Sequence, residues 1–337
     1  MPTIITVDAN HPDPAAIARA AAVLRAGGLV AFPTETVYGL GAHALDPDAV
    51  GRIYAAKGRP AYNPIIVHVA DRAQVASVAR AWNDAAERLA QEFWPGPLTM
   101  VLPRRAEVPD AVTAGLDTVG VRVPSHPVAH ALLLAAGIPI AAPSANRSMA
   151  ISPTTGAHVA KSLGSAVDLI LDAGPATVGI ESTVIDLSRT PAVLLRPGSI
   201  SVPEIEAVIG PIANATHAAT VASSTGGDTT PRPSPGMLDR HYSPRAMLVL
   251  EDAENVARRA ATARHAGQRV GVLVMQSDVE VADIALRLPA NAAGFAAGLY
   301  GALHELDDAG VDLIIVARPP ESAEWLGVRD RLDRAAR

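Results

Sequence analysis

The alternation of apolar and polar residues predicts a chain of short strands interleaved with helices. Between Asp13 and Gly27, apolar residues recur at Ile17, Ala20, Ala21 and Leu24, the spacing of one helical face. Proline stands near the start of that stretch and Gly27-Gly28 stops it. Leu29 to Phe32 reads as a strand ended by Pro33, and Asp48 to Lys57 as a helix. In Pro64 to Val69, Ile65, Val67 and Val69 fall on one face of a strand, Ile66 and His68 on the other. The pattern predicts one long helix over Arg72 to Phe93. It predicts strands at Leu98–Leu102, Val119–Val123, Ile138–Ala141, Leu169–Asp172, Thr183–Asp186 and Val193–Arg196, and a helix at Pro127–Ala136. Proline and glycine between the strands favour an α/β or α+β sheet domain over a bundle.

Residues 211–245 are rich in Ala, Ser, Thr, Gly and Pro, with little periodicity, and read as a linker. Strands at Met247–Leu250, Val270–Met275 and Val311–Val316, with a helix at Ala292–Asp308, predict a small parallel α/β block after it. The expected division is 1–210, a linker at 211–245, and 246–337. The first strand of the last block is not followed by GxGxxG, which argues against a dinucleotide site there.

Composition narrows the chemistry. The 337 residues contain no cysteine, which excludes disulfides, thiolate nucleophiles and cysteine-ligated metals. The apolar run from Ala129 to Ala142 is too short for a membrane span and is broken by Gly137 and Pro139. With no signal-peptide pattern, a soluble cytoplasmic protein is expected. A net charge of -6 argues against broad binding of nucleic-acid backbone, though not against a local pocket for an anion. Of 28 basic residues only Lys57 and Lys161 are lysine.

Six segments concentrate polar chemistry. Phe32 to Gly41 packs two threonines, a glutamate and a tyrosine into a turn after a strand. Lys57-Gly-Arg59 at a helix end suits a C-cap as well as an anion clamp, with Asn63 and His68 just beyond. Arg122 interrupts an apolar strand and needs either solvent or an anion. Pro143-Ser-Ala-Asn146 with Ser152, Glu181-Ser-Thr-Val-Ile-Asp186 and Arg196-Pro-Gly198 place hydroxyls and another arginine at strand ends. Gly-x-Ser-x-Gly and P-loop motifs are both absent, so neither a serine hydrolase nor a P-loop enzyme is indicated.

In their order and spacing these segments resemble the YrdC-like family over roughly residues 10 to 205. The stretch Ser234-Pro-Gly-Met-Leu-Asp-Arg-His-Tyr-Ser-Pro244 and the block after it resemble the long, two-domain threonylcarbamoyl-AMP synthases of that family. The resemblance implies a twisted mixed sheet with flanking helices and a concave basic face, a Rossmann-like C-terminal domain, and a linker that covers the site. It implies nucleotidyl transfer: L-threonine, bicarbonate and ATP give threonylcarbamoyl-AMP and pyrophosphate. The adenylate would pass to the tRNA threonylcarbamoyl transferase machinery.

By the same resemblance, Thr36, His68, Arg122, Ala142 and Ser182 surround threonine. Arg59, Asn63, Thr118, Ser144, Ser152, Arg196 and Tyr242 surround ATP, with Lys57 and Arg59 as catalytic cations. Magnesium is expected on the triphosphate without protein ligands, and no membrane partner is expected. A hydrogenase-maturation carbamoyltransferase carries a similar domain but also cysteine zinc fingers, which this chain lacks. A basic concavity would serve RNA as well as ATP, so direct tRNA contact stays open.

Overall fold

The computed structural model describes residues 2–214, 241–275 and 281–336. The N-terminal unit runs β1 (Thr3–Thr6), α1 (Pro14–Arg25), β2 (Val30–Phe32), β3 (Gly39–His43), α2 (Pro47–Lys57), β4 (Val67–His68), α3 (Arg72–Val75), α4 (Asp84–Phe93) and β5 (Leu98–Pro103). It continues with α5 (Asp110–Thr113), β6 (Thr118–Arg122), α6 (Pro127–Ala136), β7 (Ile140–Ala141), α7 (Gly156–Leu163), β8 (Leu169–Asp172), β9 (Thr183–Asp186), β10 (Val193–Arg196), α8 (Val202–Ile209) and β11 (Ala213–Asn214). Among the described residues these strands form one mixed sheet, in the order β1-β8-β2-β3-β7-β4-β6-β5-β9-β10-β11.

The C-terminal unit holds β12 (Met247–Glu251), α9 (Val256–His265), β13 (Val270–Val274), β14 (Ile284–Arg287), α10 (Ala292–Asp308), β15 (Leu313–Ala317) and α11 (Leu326–Ala335). Its four strands pair in parallel in the order β12-β15-β13-β14. The strand cores of β13 and β15 are buried throughout, as a parallel sheet covered on both faces requires. Among the described residues no helix is long and apolar enough to cross a membrane.

The sequence pattern places most of these elements, with instructive exceptions. The expected helix from Arg72 to Phe93 is two helices, because residues between α3 and α4 pair with the end of β5 instead. Arg80 N–H donates to Pro103 O at 2.9 Å and Arg105 N–H to Val78 O at 2.8 Å. Asn83 then restarts the helix as an N-cap, its side chain accepting from Ala86 N–H at 2.9 Å. The turn after β2 is shorter than expected. Gly39 to His43 is a strand, paired antiparallel with β2, and its glycines are packing requirements. A Cβ on Gly41 would lie 2.8 Å from the Phe32 ring and 2.9 Å from Ile140. Most of the expected linker, residues 215–240, lies outside the described residues; its last residues, 241–245, do not.

The two units share a core. Val37, Ile151 and Ile180 of the first pack in one apolar cluster with Tyr242, Phe295, Leu299, Tyr300 and Trp325. The fit is close enough that glycine is needed on both sides: a Cβ on Gly179 would meet Ala296 O at 2.3 Å, and one on Gly327 would meet Gly198 O at 2.4 Å.

Candidate functional site

Where the strand ends of the large sheet meet the segment at His241-Tyr242, they line a cleft. Its walls carry Thr34, Thr36, His68 and Arg122 toward one end, and Glu181, Ser182, Arg196 and Tyr242 toward the other, with Arg59, Ala142 and Ser144 also facing it.

At the first end, β6 delivers Arg122 and the loop after β2 delivers Thr36. The Arg122 guanidinium donates to Thr36 Oγ1 at 2.9 Å and to Gly96 O at 3.1 Å, and it lies 2.7 Å from the Glu35 carboxylate. The anion that the buried strand arginine demanded is thus internal. Burial pushes Glu35 up, but the Arg122 charge outweighs it and holds the carboxyl below its ordinary range. Thr34 fixes the loop: its hydroxyl donates to Val37 O at 2.6 Å and accepts from Val37 N–H at 3.3 Å. Tyr38, from the same motif, points away and donates to Gly174 O at 2.7 Å, a structural role. His68 is buried, and burial first and Arg122 second hold its pKa at about 3, so the ring is neutral.

Lys57 ends α2, and Gly58 closes the helix in the left-handed conformation (φ 60°). The cap and the cation therefore coexist. Lys57 is buried beneath the cleft and donates its ammonium to Ser144 O, at 2.6 Å, and to Asn146 O. Burial, then the neighbouring Arg59 charge, push it well below the ordinary lysine pKa. Arg59 donates to Asn63 O (3.2 Å) and Pro64 O (2.8 Å), and burial lowers it to about 10. Neither Lys57 nor Arg59 forms a salt bridge with a carboxylate among the described residues; Arg59 also meets the Tyr54 hydroxyl.

At the second end, Arg196 donates to Ser182 O at 3.0 Å and to its hydroxyl at 3.1 Å, and Ser182 meets Thr99 Oγ1 at 2.8 Å. Glu181 accepts from Ser152 Oγ at 2.5 Å, Tyr300 OH at 3.1 Å and Arg331 Nε at 2.8 Å. Burial raises its carboxyl, yet Arg331 and Arg196, with the Ser152 bond, hold it at about 2. Tyr242 adopts a positive φ (62°) and lies buried, its ring 5.4 Å from the Arg331 guanidinium and 5.8 Å from Tyr300.

Of the residues expected from sequence, the cleft brings together Thr36, Arg59, His68, Arg122, Ala142 and Ser144, and also Ser182, Arg196 and Tyr242. Four stand apart from its lining. Lys57 lies beneath it, and Ser152 is turned to Glu181. Asn63 is buried behind Arg59 with its side-chain amide unpartnered among the described residues. Thr118 lines a second, smaller cavity with Thr99, Val112 and Leu116. The sequence reading assigned no role to Glu181, His241 or Arg331. Glu181 and His241 sat inside quoted motifs, whereas Arg331 carried no signal.

Comparison with known proteins agrees with this architecture. A family model of Sua5, YciO and YrdC, described as telomere recombination, matches residues 22–198, and the model of the threonylcarbamoyl-AMP synthase C-terminal domain matches residues 200–337. The threonylcarbamoyl-AMP synthase of Pyrococcus abyssi is 46% identical, covering 94% of this chain and 93% of that protein. That of Bacillus subtilis is 44% identical over 98% and 96%. The crystal structure of P. abyssi Sua5 complexed with L-threonine superposes with a TM-score of 0.91 at 43% identity, covering 99% of this chain and 97% of that one. Escherichia coli YciO matches 61% of the chain, all of its own length, with a TM-score of 0.55 at 28% identity. With both halves of the chain matched in order and the relatives covered nearly end to end, this chain belongs to the threonylcarbamoyl-AMP synthase family, in its two-unit form.

Proposed function

We propose that this cleft joins L-threonine, bicarbonate and ATP into threonylcarbamoyl-AMP, releasing pyrophosphate. The observation that carries the reading is the concentration of buried cations, Lys57, Arg59, Arg122 and Arg196, among the hydroxyls of Thr36, Ser144 and Ser182. Threonine is assigned to the Arg122 end, where an arginine lines the cleft with the Thr36 hydroxyl and the neutral His68 ring. ATP is assigned to the side carrying Arg59 and Arg196, with Ser144 and Tyr242 also lining it.

The chemistry suits that placement. The threonine amine attacks the bicarbonate carbon and water leaves. The carbamate oxygen then attacks the α-phosphorus and pyrophosphate leaves. All partners but the amine are anionic, so cations fixed in a dry site lower their mutual repulsion and stabilise the charge that develops in phosphoryl transfer. Holding three substrates in one cleft supplies proximity, and the buried Tyr242 segment excludes water that would hydrolyse the adenylate.

Magnesium would arrive with the nucleotide. Glu181 is the sole carboxylate lining the cleft among the described residues, and it is already taken by Arg331, Ser152 and Tyr300. The residues present therefore suit phosphate better than metal. The adenylate is proposed to feed the tRNA threonylcarbamoyl transferase machinery.

The test is pyrophosphate release by the purified protein, expected only with both L-threonine and bicarbonate present. Equal release without threonine refutes the reading. Arg59→Ala and Lys57→Ala are expected to lower turnover ~100-fold or more, as loss of one preorganised electrostatic donor does. Lys57→Arg should also lose activity, because a fork cannot replace a point charge in a cavity already filled.

A further inference from the structure

We propose that Arg331, on the last helix of the C-terminal unit, is a positioning residue for the nucleotide end of the cleft. The inference rests on the assignment of ATP to that end and adds a role for the second unit.

Arg331 is fully buried, and its guanidinium reaches across the unit boundary to several points at once. Nε donates to the Glu181 carboxylate at 2.8 Å, Nη2 to Glu181 O at 3.2 Å and Nη1 to Pro197 O at 2.8 Å. The same plane lies 5.4 Å from the Tyr242 ring. Glu181 leads into β9, and Pro197 follows the last residue of β10. These are the two strands whose ends present Ser182 and Arg196 to the cleft. One side chain thereby fixes the spacing of both strand ends and the ring that covers them. Asp330 shares the guanidinium at 2.8 Å and keeps it oriented on α11.

Charge sharpens the point. A carboxylate lining a phosphate site repels its ligand unless a cation consumes that charge. Arg331 pairs with it directly, and Tyr300 and Ser152 donate to the same carboxylate. Arg196 adds its charge to that compensation while donating to Ser182. Thr36 and Arg122 make their contacts within the first unit, with Glu35, Thr34 and Gly96.

The decisive variant is Arg331→Lys, which keeps the charge but loses the fork. Affinities for ATP and for L-threonine are read by calorimetry on the full chain, without turnover, alongside Tm. The expected result is ATP binding weakened ~10-fold, since one ammonium cannot hold two strand ends. Threonine binding should fall less than ATP binding, because Ser182 is the one expected threonine residue on the strand ends that Arg331 holds. Unchanged ATP affinity overturns the proposal, and so does a parallel loss of both ligands in step with Tm, which marks a merely structural residue. If Arg331→Lys does not fold, Tyr300→Phe decides. It deletes one bond to the same carboxylate, and ATP should weaken about threefold, with threonine affected less. No change in ATP affinity then overturns the proposal. A protein that binds ATP as expected but releases pyrophosphate without threonine would sink the reaction assignment while leaving Arg331 in place.

Discussion

Two buried arginine–glutamate pairs flank the cleft, and they are mirror images in chemical order. At one end Arg122 faces the cleft and Glu35 stands behind it. At the other, Glu181 faces the cleft and Arg331 stands behind it. The first pair lies within one unit, in the loop and strand that build the wall. The second spans 150 residues of sequence and joins two units. The first end presents a cation backed by an anion. The second presents an anion already neutralised, so that Arg59 and Arg196 set the sign of the site. The cleft is locally complete at the Arg122 end and assembled only by docking at the Glu181 end.

That contrast breaks most visibly at Glu35. Removing one partner of a buried pair strands the other charge, so Glu35→Ala is expected to cost ~3–5 kcal/mol in chemical denaturation. Replacing both partners together, as Glu35→Gln with Arg122→Met, should recover most of that stability while threonine binding stays lost. If Glu35→Ala is as stable as the parent, Arg122 reaches solvent after all and the internal-anion account fails.

Acid should weaken both ends and the boundary between the units. His68 and His241 have pKa values held at about 3, and His304 at about 4, each chiefly by burial, against an ordinary 6.5. The folded rings stay neutral while the unfolded ones protonate. Stability is therefore present above pH 6.5 and is lost as pH falls toward the folded values. Between pH 7 and pH 5 the Tm should drop by roughly 5 °C, from proton uptake by the unfolded chain. His68→Gln and His241→Gln should each flatten the slope. A Tm that does not move over this range would mean that the imidazoles carry charge in the fold.

Ser152→Ala probes only the Glu181 end. It removes a hydroxyl that donates to a buried carboxylate at 2.5 Å, a bond worth ~1.5–3 kcal/mol. With one donor gone, ATP affinity should fall more than threonine affinity. An equal fall in both would show that Ser152 supports the whole cleft and not one end of it.

How much of this could be read from the residues follows the same division. Local periodicity located α6, α10, β8, β9 and β10 to the residue, because each buries a continuous stripe or run. Arg122 was legible as a residue needing either solvent or an anion, since a charge inside an apolar strand is costly wherever it lies. The glycine-rich β3 was not, because its stability comes from pairing with β2 and β7 and little from its side chains. The long helix over Arg72–Phe93 failed for a similar reason: backbone pairing with β5 and the Asn83 cap outweighed helical propensity in residues 76–83. Arg331 was illegible in principle. In Arg329-Asp-Arg-Leu-Asp-Arg334 the charges resemble a solvated helix face, and only the docked partner turns one of them inward.

The smallest effect is expected from the other lysine, and it bears on the same boundary. Lys161 on α7 pairs with Asp308 at the end of α10, so both lysines of the chain have identifiable partners. The two differ in surroundings: Lys57 is buried beneath the cleft, while Lys161 and Asp308 are each nearly half exposed. An exposed pair competes with water and mobile ions, so Lys161→Ala should cost under ~1 kcal/mol, and less still in high salt. The docking of the units rests instead on the shared apolar core and on Arg331, neither of which salt screens. A loss at Lys161 as large as that at Ser152, sensitive to salt, would show that surface charge and not burial holds the second unit in place.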